Sequence, residues 1–322
     1  MSLLLLSAKE PAVRSARNSV TLNAGSVLRV FPDSAQEQQT RLYEATALTP
    51  EHSFTGEIEG PAVDRAGNVY AVAFAGKKST IARVSPTGAA ELFIDLPGGS
   101  FGNGIRFDRK GRMFVADYTN HNVLRIDPAT KAIQTFHHNA DMNQPNDLAI
   151  TAKGDFYASD PDWKNGTGQL WWISRDGKRS RRVASGMGTT NGIDLSPDGK
   201  TLYVNESVQR KVWAFDVQSD GSLAGKRLLI EFPDFGFDGM RIDVDGNLYA
   251  TRHGKGVVAV ISPQRKVLRE IPVLGAKPSN ICFGGPDGRT AYVTEMEKGR
   301  LVQFRVERPG LEWTRWPGRR AK

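Results

Sequence analysis

The stretch Phe237-Asp238-Gly239-Met240-Arg241-Ile242-Asp243-Val244-Asp245-Gly246-Asn247-Leu248-Tyr249 decides the fold, because its pattern occurs six times in the chain. A polar residue opens each copy, followed by an apolar run, a turn ending in Gly, and an aromatic-bearing return run. Glu59, Asn103, Asn146, Asn191, Asp238 and Ser279 are the six openings, at steps of 44, 43, 45, 47 and 41 residues. A period of this length, built of short β-branched and aromatic runs with a turn signal every ten residues or so, describes four-stranded blades. Helical repeats of similar length would show apolar residues at helical spacing, and these segments do not. The expected fold is all-β, a six-bladed β-propeller around a central channel.

Working outward, the repeats between residues 59 and 308 of the 322 leave no room for a second fold, so one domain is expected over residues 25–318. Residues 1–24 are polar and without period and read as a poorly ordered arm, and 319–322 as a basic tail. A ring must join its first and last blades. Two β-like runs at 27–31 and 41–45, or the C-terminal segment 311–316, are the candidates for the strand that completes the final blade.

Composition sets the class. With 39% apolar and 24% charged residues the chain is neither disordered nor membrane-spanning. The net charge of +8 invites a nucleic-acid reading, but the basic residues are spread over turns and outer strands. The densest group, Lys178-Arg179-Ser180-Arg181-Arg182, reads as a solvated face, and no nucleic-acid or membrane partner is expected. The single cysteine, Cys282, lies in an apolar run and is expected to be buried. The opening Met1-Ser2-Leu3-Leu4-Leu5-Leu6 is too short and lacks the leading positive charge of a secretory signal, so a cytoplasmic location is the expectation. Oligomeric state is left open.

If each opening residue sits at one end of its innermost strand, all six converge on one end of the channel. The return strands bring a second, charged set to the same end: Asp117, Asp160, Glu206, Arg252 and Glu295. Glu59, Asn103, Asn146, Asn191 and Asp238 together offer two carboxylates and three amides, an oxygen-only cage that suits a hard cation. Calcium is favoured, with manganese, magnesium or zinc as alternatives. Any one of these residues alone would read as a turn former; five in register do not.

Weaker signals fall away. Asp243-Val244-Asp245-Gly246-Asn247 imitates an EF-hand loop, but the residue at loop position twelve is Gly254. His137 and His138 are adjacent and would point to opposite faces of a strand. His253 follows the fifth return strand, where a packing role is favoured over a place at the channel mouth. The chain contains no P-loop or CxxC pair.

At Glu59-Gly60-Pro61, Pro145-Asn146-Asp147-Leu148, Asn191-Gly192-Ile193, Asp238-Gly239-Met240 and the run 283–290 (FGGPDGRT), the sequence resembles the gluconolactonase and regucalcin (senescence marker protein) family of six-bladed propeller hydrolases, over about residues 55–308. The resemblance implies a divalent cation held by Glu59, Asn146, Asn191 and Asp238. It implies hydrolysis of a cyclic ester, usually a sugar lactone of the glucono type. Asp238 is the expected general base, since a carboxylate that touches both ion and water can take the water's proton. Asn103 matches the ring but not the family's usual ligands and is assigned to substrate binding, with Asp160, Glu206 and Ser279. Gln144 stands where regucalcin has a substrate-binding Arg, which argues for a different substrate preference. The alternatives are an aryl ester or phosphotriester hydrolase on the same ion, and a non-catalytic interaction scaffold.

Overall fold

The structure is a computed structural model, and it describes residues 41–319. Among the described residues twenty-four strands form six antiparallel sheets of four, five of them consecutive meanders. The first blade comprises β2 (Ala62–Val63), β3 (Val69–Val72), β4 (Thr80–Val84) and β5 (Ala90–Asp95). The second comprises β6 (Gly102–Phe107), β7 (Met113–Asp117), β8 (Asn122–Ile126) and β9 (Ile133–His138). The third has β10 (Leu148–Ile150), β11 (Phe156–Asp162), β12 (Thr167–Ile173) and β13 (Ser180–Met187). The fourth has β14 (Thr190–Leu195), β15 (Thr201–Glu206), β16 (Lys211–Val217) and β17 (Leu223–Glu231). In the fifth are β18 (Met240–Ile242), β19 (Leu248–Arg252), β20 (Val257–Ile261) and β21 (Val267–Pro272). The sixth holds β22 (Pro278–Gly284), β23 (Thr290–Glu295) and β24 (Arg300–Arg305).

The ring closes through β1 (Thr46–Ala47), which pairs antiparallel with β24, Thr46 opposite Gln303 and Ala47 opposite Val302. Tyr43 N–H and Leu48 N–H extend the seam to Arg305 O and Leu301 O. Of the three closure candidates, the segment just after residues 41–45 supplies the strand. The C-terminal candidate is instead a one-turn helix, α1 (Leu311–Thr314). The run 27–31, the arm at 1–24 and the end of the basic tail lie outside the described residues.

Six apolar clusters fill the wedges between neighbouring blades. Tyr70 of the first blade stands edge-on to Phe93 and to Phe107 of the second, and Phe114 and Phe156 meet across the next wedge with centroids 4.7 Å apart. Each such fully buried ring contributes on the order of 1.5–3 kcal/mol by leaving water. Cys282 is fully buried in one of these wedges. The EF-hand imitation is a turn: Asp243 Oδ1 accepts from Asp245 N–H and Asn247 N–H, so its carboxylate serves its own hairpin. Among the described residues no helix is long and apolar enough to cross a membrane.

The channel is filled by a column of charge. Arg241 Nη1 lies 2.8 Å from Asp147 Oδ2, and Arg106 lies 3.6 Å from the other oxygen of the same carboxylate. Both arginines approach Glu312 of α1 at 3.6 Å, and Glu312 accepts Phe283 N–H at 2.7 Å. The helix therefore caps the end of the channel opposite the six openings.

Candidate metal centre and active site

The sequence places a glycine directly after Glu59, Asn103, Asn191 and Asp238, and the packing explains all four. Gly60 has φ +57°, and a Cβ there would lie 1.9 Å from Asn103 O. At Gly104 a Cβ would fall 2.4 Å from Asp147 Oδ1, where Gly104 N–H donates to Asn146 O at 2.8 Å. Gly192 N–H donates to Asp238 O and Gly239 N–H to Ser279 O in the same way. Openings of adjacent blades are thus tied backbone to backbone, which only a closely approaching chain permits.

Glu59, Asn103, Asn146, Asn191 and Asp238 form the floor of one cavity of about 620 Å³. Asn191 Nδ2 donates to Asp238 Oδ1 at 2.8 Å and to Ser207 Oγ at 3.1 Å, fixing the two side chains against each other. Asn103 Oδ1 and Asn146 Oδ1 are buried and accept no hydrogen bond among the described residues. Buried oxygens without a donor cost free energy unless something positive meets them. Two such amide oxygens beside two carboxylates are a donor set that fits a hard cation. Among the described residues there is no cluster of three or more His, Cys, Asp or Glu, so the amides are essential to such a site.

Electrostatics agree with that fit. Burial pushes the Glu59 carboxyl up to about 7, although it accepts Gly60 N–H at 2.8 Å. Burial, and then the charge of Glu59, hold Asp238 well above the usual carboxylate range. Both must lose their protons to ligate a cation. Calcium affinity is therefore expected to rise with pH through about 7, where Glu59 loses its proton, which calorimetric titration across the range would read. For the metal-free protein the sign is opposite. A carboxyl held above its ordinary value binds its proton more tightly when folded, so folding is favoured at low pH and that stability is lost as pH rises from 4.5 toward 7. A calcium affinity independent of pH across this window would exclude the pair as ligands.

The other expected site residues fall elsewhere. Ser279 is fully buried and outside the cavity; its hydroxyl donates to Ile58 O at 2.7 Å, anchoring the residue before Glu59. Asp160 is fully buried and spent on Asn143 N–H, Gln144 N–H, Gln169 Nε2 and Trp171 Nε1. Glu206 accepts Gly188 N–H at 2.8 Å. Asp117 holds Phe101 N–H, and Glu295 holds Lys277 N–H. Each of these acids clamps the loop that leads into its own blade's opening residue. In the fifth blade Arg252 takes the same place and, being a donor, grips Asp234 and the Phe235 carbonyl. Gln144 is half-buried and outside the cavity lining; its Oε1 accepts Trp163 N–H at 3.2 Å.

His253, expected to pack rather than to reach the channel mouth, is placed otherwise. His253 lines the cavity, and burial pushes its pKa down, so its imidazole is neutral at neutral pH. The walls above the floor are mainly apolar, from Phe101, Tyr118, Trp163, Val208, Phe235 and Met296, with Glu57, Ser207 and Arg210 among them. Trp163 and Phe235 sit in the loops 161–168 and 232–237, whose place at the channel mouth was the available signal.

Residues 59–297 match the model of the SMP-30/Gluconolactonase/LRE-like region. A gluconolactonase of Zymomonas mobilis is 29% identical over 241 residues, 66% of this chain and 65% of that protein. The chain thus spans just under two thirds of that relative. A diisopropyl-fluorophosphatase of Loligo vulgaris is 27% identical over 285 residues, covering 78% of this chain and 90% of that one. Among solved structures, a gluconolactonase of Xanthomonas campestris superposes with a TM-score of 0.70 at 23% identity, over 82% of this chain and 89% of its own.

Proposed function

This chain belongs to the SMP-30/gluconolactonase/LRE-like family, and from that premise we propose that it is a lactone hydrolase dependent on one divalent cation, calcium first among the candidates. The observation that carries the reading is the cavity floor, where Glu59, Asn103, Asn146, Asn191 and Asp238 line one cavity and the amide oxygens of Asn103 and Asn146 are buried without a donor among the described residues. The Zymomonas gluconolactonase supports the reaction class. Glu59, Asn146, Asn191 and Asp238 would hold the cation, which would polarise the ester carbonyl.

The chain's own residues supply the remainder. Asp238, oriented by Asn191 Nδ2, is positioned to take the proton of the attacking water and return it to the ring oxygen as the acyl–oxygen bond breaks. Asn103 offers its amide to the substrate from the same floor. The ring opens to a hydroxy acid.

A second reading, an aryl ester or phosphotriester hydrolase on the same floor, is favoured by the apolar walls and by the likeness to the squid fluorophosphatase. One experiment separates the two. Chelator-stripped protein is assayed on δ-valerolactone, glucono-1,5-lactone, phenyl acetate and a phosphotriester, with and without added calcium, manganese, magnesium or zinc. Metal-restored lactone turnover establishes the first reading. Turnover of the ester or phosphotriester alone moves the second ahead, and metal binding without any turnover points to a scaffold.

A further inference from the structure

The floor of the cavity is polar, and its walls are mainly apolar, with Glu57, Ser207, Arg210 and His253 as their polar members. Above the five oxygen-bearing residues, three large apolar side chains stand open to solvent at the mouth: Trp163 at 37%, Phe235 at 47% and Val208 at 61% exposure. Phe101, Tyr118 and Met296 continue the wall inward. The acids that might have met sugar hydroxyls, Asp117, Asp160, Glu206 and Glu295, are buried and spent on loop N–H groups. A polyhydroxylated ring entering this cavity would find polar wall partners only at Glu57, Ser207, Arg210 and His253, and would lay the rest of its hydroxyls against apolar side chains.

The wall is also built, not incidental. Phe235 has φ 41°, in the left-handed region that an aromatic residue rarely adopts. Arg252, fully buried, holds that conformation: its Nη2 donates to Asp234 Oδ1 at 2.8 Å and reaches the Phe235 carbonyl at 3.4 Å. The guanidinium lies 3.9 Å above the Phe232 ring and 5.1 Å from that of Phe237, so it is gripped from both sides. Gly254 makes room, since a Cβ there would lie 3.0 Å from Phe235 Cδ1. Across the mouth, Gln144 Oε1 holds the backbone of Trp163. A strained, exposed aromatic fixed by a buried arginine over a reactive floor is a preorganised contact for a ligand.

We propose that the substrate is a lactone carrying an apolar ring or chain, seated against Trp163, Val208 and Phe235 while its ester carbonyl faces the floor. This rests on the lactonase reading of the same floor and departs from the sugar lactone that the sequence resemblance implies. Phe235 and Trp163 determine specificity, and Arg252 is a positioning residue acting through Phe235.

The test uses the full calcium-loaded chain and three lactones, δ-valerolactone, glucono-1,5-lactone and dihydrocoumarin, with each rate normalised to the lactone's hydroxide-catalysed hydrolysis. Normalised kcat/KM for dihydrocoumarin is expected to exceed that for glucono-1,5-lactone at least about tenfold. Phe235→Ala, a change at an exposed loop position, lowers that preference about tenfold, through KM more than kcat. A readout independent of turnover is binding of the unreactive lactam 3,4-dihydroquinolin-2-one by calorimetry, which Phe235→Ala and Trp163→Ala each weaken about tenfold. Preference for glucono-1,5-lactone, with both variants silent, overturns the inference and leaves the lactonase reading intact. Failure to hydrolyse any of the three sinks the lactonase reading. If the lactam also fails to bind, the apolar mouth is not a ligand wall and is left as a surface for a protein partner.

Discussion

Asp238→Asn is expected to lower lactone turnover by about 10²–10⁴-fold, the range for loss of a positioned general base, and to weaken calcium binding as well. The substitution keeps the size and planarity of the side chain, and the oxygen that accepts Asn191 Nδ2 at 2.8 Å can still accept it. What is lost is one negative charge and the ability to hold a proton. Stability should move the other way. Asp238 is held protonated-side by burial and by the charge of Glu59, so a neutral amide relieves a repulsion that the metal-free fold carries. Metal-free Asp238→Asn is therefore expected to melt no lower than the parent above neutral pH, while being nearly inactive when calcium is supplied. Glu59→Gln separates the two roles: it removes a ligand charge without removing the base, so excess calcium should restore much of its turnover. Asp64→Asn is the control. That carboxylate serves the hairpin turn through Asn68 and Tyr70, and its loss should cost about 1 kcal/mol of stability with activity unchanged. Calcium titrations, thermal melts and steady-state kinetics on the three variants check these expectations. Normal turnover by Asp238→Asn would remove Asp238 as the base.

The ring was legible because a repeat's register fixes position along a strand, and five of the six openings, Ser279 excepted, do meet in one cavity. Register does not fix which way a side chain turns. Ser279 matches the others in phase, yet its short hydroxyl finds Ile58 O and Thr294 Oγ1 and stays buried. The return-strand acids show the same limit. Their spacing and sign were visible in the sequence, but whether a carboxylate faces a cavity or a loop depends on which backbone N–H groups lack a strand partner. The loops entering the blades have such groups at Phe101, Gln144, Gly188 and Lys277, and the acids go to them. Arg252 obeys the same logic with the opposite sign, taking carbonyls where its neighbours take N–H groups. The apolar wall was hidden because it is built from loops, whose conformations follow from these clamps and not from any period. Closure by residues 46–47 was undecidable for a related reason. A two-residue edge strand carries too little pattern to be told from the C-terminal segment, which folds as α1 once Glu312 can reach the two arginines in the channel.

Asp147→Ala is expected to destabilise the fold by about 3–5 kcal/mol, the cost of leaving a buried charge without its partner. Arg241 and Asp147 have side chains with no exposure at all and lie 2.8 Å apart. Arg106, nearly as buried, shares the same carboxylate at 3.6 Å. Without Asp147, the two guanidinium groups keep one carboxylate within ion-pair distance among the described residues, Glu312, which is 23% exposed and at 3.6 Å from each, beside the neutral carbonyls of Leu148, Ile193 and Met240. Arg241 has no slack to recover, since its Nε and Nη2 already lack hydrogen-bond partners among the described residues. Burial nonetheless pushes the Asp147 carboxyl up to about 7, against the pull of Arg106, so attraction in the column does not fully offset desolvation. The consequence is a sharp asymmetry. Breaking the pair is costly, while replacing both members by apolar residues, as in Asp147→Leu with Arg241→Met, should recover most of the loss. Urea unfolding of the two single variants and the double variant, at fixed calcium, measures both quantities in one cycle. A cost for Asp147→Ala of under about 1 kcal/mol would mean that the arginines repair their solvation locally and that the column is not a unit. If the double variant is stable but weak in calcium binding, the role of the column follows directly. Asp147 adjoins Asn146 in the chain, and the charge that joins it to α1 then serves to hold one corner of the oxygen floor in place.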